Sequence, residues 1–341
     1  MLEVPYLPPQ MPYEADYSGR FTATGVILLL VAAVTGCFTA LLPFGYVMQQ
    51  RMAPGQAPPL SQFVIAVAMY LALTVATGWL GVAALMKHRY VRPLVMIFST
   101  HMLLLGVVTL LATVFLMPTF KSQFQQAAGP GASSMPAVVG MIIGMAMVFL
   151  FLVVPPVVLL LLMRPPAVQV TAERYDLRPR WTDGVPMKVL GLVVTLAVFA
   201  ASEVLLLGRP MVPVFVRFVT GVPAILLILA HVALLTWAAV RIYRRDLFGW
   251  RLAFWALVVP LTIFTISTLT MPTDRYIATI QDQPGMPELI AKHEGLFRTL
   301  WITLSALFLV STVIYLLRLR PLIEPGADEA DASMPAALPS E

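Results

Sequence analysis

The chain has 341 residues, 59% of them hydrophobic and 11% charged, with a mean hydropathy of +0.86 and a formal net charge of +5. Soluble domains carry roughly 25% charged residues, so this composition excludes a water-soluble fold and implies a polytopic protein embedded in the lipid bilayer. The positive charge is spread without a basic run or an aromatic-interleaved basic patch, which excludes a nucleic-acid partner.

Residues 1–21 form a Pro- and Tyr-rich tail, suited to lying on the membrane surface or docking a partner. Glu3, Glu14 and Asp16 stand there against one Arg20. A secretory signal has a basic n-region and an apolar core of about 7–15 residues. The acidic tail and the far longer apolar run after it predict a first span that is retained.

A helix needs about 20 mainly apolar residues to cross ~30 Å of hydrocarbon. Eight stretches qualify, approximately 22–48, 62–86, 93–117, 137–163, 187–208, 221–241, 251–271 and 296–318. A β-barrel would show short alternating segments instead of continuous apolar runs, so the expected fold is all-α.

The polar connector 164–188 divides these spans into a first four-helix membrane unit, 22–163, and a second, 187–320. The halves share ordered anchors. LALTVATGW at 71–79 parallels LAHVALLTW at 229–237. Met117 and Pro118 parallel Met271 and Pro272 at the ends of the third and seventh spans. Met135, Pro136 and Gly144 recur at the same spacing as Met286, Pro287 and Gly295, and Arg164 with Pro165 recurs as Arg320 with Pro321. These matches predict a duplication, and four spans per unit make the repeats parallel. Residues 321–341 are acidic and rich in small residues, the composition of a disordered tail.

Eight spans put both termini on one side, and that side holds 15 of the 22 basic residues. Positive charge in short loops marks the cytoplasmic face, so both termini are expected in the cytoplasm and the protein in the inner membrane. Basic residues beside Tyr175, Trp181 and Trp250 suit anionic lipid and offer cytoplasmic loops for protein partners.

Gly140 and Gly144 form a GxxxG that predicts close helix packing. Pro155, Pro156 and Pro260 predict kinks or breaks in the fourth and seventh spans. Cys37, alone of its type, reads as a small membrane hydrophobe. The methionines near the far ends of spans, such as Met48, Met117 and Met271, could offer thioethers to Cu(I), but no Met/His pair is tightly spaced and no metal site is expected.

Glu203 is the acidic residue well inside a span. An intramembrane carboxylate costs several kcal/mol unless protonated, paired or hydrated, and marks a functional site by default; the plain alternative is that it reaches the interface and meets Arg209 or water. His101 and His231 lie near mid-depth in the third and sixth spans. Two such imidazoles can hold a haem, or simply bond to neighbouring helices. In the far loop 273–298, Asp274, His293 and Glu294 could hold a proton or divalent metal, while Glu288/Lys292 and Glu294/Arg298 are spaced for a salt-bridged interfacial helix.

No HExxH, GxSxG or Walker loop is present, so hydrolytic catalysis is not expected. The functional expectation is a small-solute or ion transporter with a site between the two four-helix units and Glu203 as its polar participant. The alternative is a non-transporting subunit of a respiratory-type complex, binding quinone or haem or serving as an assembly anchor.

Overall fold

The computed structural model describes residues 16–52, 60–128, 135–208, 210–279, 291 and 294–323. Among them, eight helices are long and apolar enough to cross a membrane. This is an integral, multi-pass membrane protein.

The helices are α1 (Ser18–Met52), α2 (Leu60–Leu85), α3 (Val91–Ala128), α4 (Met135–Val148), α5 (Val154–Met163), α6 (Ala167–Tyr175), α7 (Met187–Leu205), α8 (Val222–Tyr243), α9 (Leu247–Thr270), α10 (Thr273–Thr279) and α11 (Glu294–Ile323). A hairpin of β1 (Met211–Val214) and β2 (Arg217–Thr220) stands between α7 and α8. The chain divides into two compact units, residues 1–43 with 68–183 and residues 44–67 with 184–341.

Within the first unit, α4 and α5 are one span interrupted by a π turn, Phe149–Val153. The cause is local. Pro155 and Pro156 follow the turn, and neither can donate to the carbonyl four residues before it. The wider turn relieves the ring-to-carbonyl clash, and Val154 donates instead to the Phe149 carbonyl. The kink expected from the proline pair therefore takes the form of this bulge. Opposite it on α3 is Gly106, where a Cβ would stand 2.6 Å from the Leu152 carbonyl oxygen. Only glycine lets α3 approach the bulge backbone so closely.

One expectation for this unit is corrected. Gly140 and Gly144 do not mark a close helix approach among the described residues: a Cβ at either meets nothing within 4 Å. The third span is Val91–Val114, close to its expected end, while the helix that carries it, α3, runs on through Pro118 to Ala128. The stretch beyond Pro118, TFKSQFQQAA, carries three Gln and two Ala, which favour helix.

In the second unit α8 packs against α7 and α9, and α9 against α11. Gly249 makes the tight α8–α9 turn possible, since a Cβ there would lie 2.7 Å from the Ile242 backbone nitrogen. The buried cluster includes Leu192, Leu196, Leu235, Ala238, Ala253, Ala256 and Leu316. Its alanines let the backbones approach, the usual packing device where lipid supplies no hydrophobic drive. Trp250 locks the same region by donating from Nε1 to the Leu316 carbonyl at 2.8 Å. All these residues lie in the half of the bundle nearest the connector.

Candidate functional site in the second unit

Where the close-packed half of the second unit ends, a cavity of about 450 Å³ begins. Leu235, Ala256 and Leu257 belong both to the core and to the cavity wall. Phe199, Phe264 and Phe308 bring aromatic surface, and the β1 residues Met211–Val214 cover the end away from the connector. Glu203 and His231 are the polar side chains of the lining; every other lining residue is apolar.

The two meet. His231 Nδ1 lies 2.6 Å from Oε1 and 2.8 Å from Oε2 of Glu203. His231 Nε2 lies 2.8 Å from the carbonyl oxygen of Ala256. That carbonyl is available for a reason written in the sequence: its helical donor would be the nitrogen of residue 260, and Pro260 has no N–H. The α9 helix continues unbroken through Pro260, so the expected break is absent and His231 satisfies the orphaned acceptor.

This geometry fixes one proton. A carbonyl only accepts, so Nε2 of His231 carries a hydrogen. Nδ1 then faces the carboxylate in one of two ways: an imidazolium donates to ionised Glu203, or protonated Glu203 donates to a neutral ring. Both arrangements hold a single mobile proton and no net charge. Neutrality is what lets the pair exist inside a span, because an unpaired ion there is costly. About a fifth of each side chain, 20% for His231 and 23% for Glu203, remains accessible to the cavity.

The pairing joins residues that the sequence presented separately. Glu203 turns to His231 on α8, and Arg209 lies outside the described residues. Both ring nitrogens of His231 are engaged by protein atoms. His101 belongs to the first unit, where its Nδ1 contacts the Ile97 carbonyl at 2.8 Å, one turn back on α3.

The loop residues divide. Asp274 is exposed in the first turn of α10, and His293 lies outside the described residues together with Glu288 and Lys292. Glu294 opens α11 and accepts from the Thr273 hydroxyl, while Arg298 donates to the Leu269 carbonyl at the end of α9. Arg275 donates to the Val216 carbonyl at 2.8 Å and so pins the hairpin turn. No group of three or more His, Cys, Asp or Glu suited to a metal occurs among the described residues.

The connector builds a second polar cluster, in the first unit. After α6, Arg180 clasps Asp176 with Nε at 2.8 Å and Nη2 at 3.1 Å, and His88 Nδ1 approaches the same carboxylate at 3.2 Å. Arg89 pairs with Glu173 and Asp183, both at 3.3 Å. The hydrogen bonds from Arg180, above all, hold the Asp176 carboxyl at about 2, well below the usual carboxylate range. Arg20 and Arg92 donate to the carbonyls of Leu162, Met163 and Arg164 at the end of α5, where the helix dipole favours cations. These basic residues thus cap and tie the fold.

No protein-family model matches the chain, and neither a curated protein nor a solved structure matches it.

Proposed function

We propose that the chain is a membrane subunit of a respiratory-type complex, and that its second unit binds a lipid-soluble quinone or quinol whose protons Glu203 and His231 exchange. The observation that carries this reading is a carboxylate–imidazole pair set in an otherwise apolar cavity. Apolar walls accept a ring and prenyl stem from the bilayer, with a few polar groups fixing orientation. A hydrated ion or sugar would lose its water shell against Val, Leu and Phe with almost nothing in exchange. When a quinol is oxidised, each of its two protons passes to the pair as the pair gives up the proton it holds to water, and its two electrons pass to a redox-active partner subunit.

Equilibrium binding of a short-chain quinone to the protein in lipid nanodiscs tests this, with Leu257→Trp as the cavity-filling control. Saturable binding that the filled variant loses supports the reading. A folded wild-type protein with no saturable binding sinks it.

A second reading, proton-coupled movement of a small solute, draws support from the carboxylate's place in a membrane span. It expects Glu203→Gln to abolish flux in liposomes. Haem held by His101 and His231 would require His231 to release Ala256 or Glu203.

We also infer that both termini are cytoplasmic, that the membrane is the inner one and that the halves arose by parallel duplication. The uneven distribution of basic residues and the ordered anchors support these readings. On this orientation the cavity lies toward the outer leaflet, and the connector side faces cytoplasmic partners.

A further inference from the structure

We propose that a second face of α7 and α8 binds an anionic phospholipid of the leaflet on the connector side, its acyl chain lying in a groove between the two helices and its phosphate on Arg244. The groove has a volume of about 610 Å³ and shares no lining residue with the cavity that holds Glu203 and His231. The site is thus separate from the one assigned to quinone. On the orientation inferred above, its leaflet is the cytoplasmic one, whose lipids carry the negative charge.

Residue size shapes the groove. Ala200 on α7 and Ala239 on α8 are buried and form its floor, while Ala197, Ala201, Thr236 and Val240 are exposed along its walls. Residues three and four apart share a helix face, so each helix contributes one stripe. Alanines at the floor leave a channel that larger side chains would close. Thr236 gives its hydroxyl hydrogen to the Val232 carbonyl at 2.8 Å, one turn back, and so spends it within α8. The remaining polar groups of the lining, Tyr243 and Arg244, are gathered at one end, where α8 closes.

Arg244 is the observation that points to a lipid with an anionic head. Of the three arginines in this turn, Arg241 pairs with Asp246, and Arg245 donates to the Gly184 carbonyl. Arg244 is exposed, and its guanidinium has no salt bridge or hydrogen bond to another described residue. Three arginines against one aspartate leave the turn with an excess of positive charge, the complement of a phosphate-bearing head. The length of the groove agrees. From residue 232 to residue 244, α8 rises about 18 Å at 1.5 Å per residue. That is a little over half of the ~30 Å hydrocarbon core, the depth reached by one acyl chain from its own head-group boundary. A partner's transmembrane helix crosses both leaflets and needs a face of the full ~30 Å.

Native mass spectrometry of the delipidated protein in detergent tests this, with titration by phosphatidylglycerol and by phosphatidylcholine of the same acyl chains. The wild type is expected to bind a first phosphatidylglycerol in preference to phosphatidylcholine. Arg244→Gln should weaken that binding about fivefold, the effect of one basic residue at an anionic lipid surface, and erase the preference. Arg244→Lys, which keeps the charge, should retain it. Ala201→Trp fills the groove from an exposed wall position and should remove the first site for both lipids. Equal phosphatidylglycerol affinity in the wild type and Arg244→Gln overturns the assignment, as does an unaltered first site in Ala201→Trp. So does an Ala201→Trp protein that loses self-association instead of lipid, which would mark this face as the contact with a second copy of the chain.

Discussion

His231 donates from Nε2 to the carbonyl oxygen of Ala256 at 2.8 Å, the acceptor from which Pro260 removes the helical donor. A proline on one helix thereby sets the protonation of a histidine on another, and the histidine in turn presents Nδ1 to Glu203. The link predicts a measurable coupling. His231→Phe strands the Ala256 carbonyl when Pro260 is present, but in a Pro260→Ala background the helix supplies its own N–H. The double-mutant cycle, read by thermal or denaturant unfolding in detergent, should give a coupling of about 1 kcal/mol. Additive effects would mean that the carbonyl contact contributes nothing.

Replacing Glu203 separates structure from chemistry. Glu203→Ala leaves Nδ1 of His231 facing an apolar wall and should cost about 1–3 kcal/mol of stability. Glu203→Gln keeps an acceptor there and should unfold close to the wild type while losing proton exchange. If both variants are equally stable, the pair is not part of what holds α7 to α8.

The first unit offers a packing test. Gly106→Ala drives a methyl to 2.6 Å from the Leu152 carbonyl oxygen, in the backbone of the π turn. Overpacking of this kind costs about 1–3 kcal/mol. Gly140→Ala, where a Cβ meets nothing, should be neutral or slightly stabilising in the same unfolding measurement. Equal stability of the two variants would show that α3 does not need glycine at the bulge.

Much of the fold is legible in the sequence, and the limits have physical causes. Membrane spans declare themselves by length and apolarity, so all eight lie within a few residues of their expected positions. The hairpin does not declare itself, because MVPVFVRFVT at 211–220 is short, carries a proline and sits between two spans, where a plain loop is the simpler expectation. Its alternating valines are the available signal. Glu203, His231 and Pro260 each stand out alone, but nothing local shows that residues 28 apart on separate helices bring the first two together. The orphaned carbonyl four residues before Pro260 is the clue that sequence reasoning missed. The GxxxG pattern misleads for the opposite reason: small residues permit close approach but do not supply a neighbour.

The connector cluster has its own pH dependence. Asp176 is held at about 2 by Arg180, below the roughly 3.9 of an unfolded aspartate. Its contribution to folding is therefore present above pH ~3.9 and is lost as the pH falls through about 2. Arg180→Gln should move that loss upward, toward the ordinary aspartate range. Limited acid proteolysis between α6 and α7 across this window measures it. Identical profiles for wild type and variant would show that the clasp does not hold the connector.

Proton exchange between the Glu203–His231 pair and a ligand in the cavity is open to direct observation, in an infrared difference spectrum between quinone-bound and quinol-bound protein in nanodiscs. The expected spectrum has a carboxyl band that changes with the ligand's redox state, shifts in deuterium oxide and disappears in Glu203→Gln. A bound, redox-active ligand with no carboxyl change, or with a change that Glu203→Gln leaves intact, would contradict it.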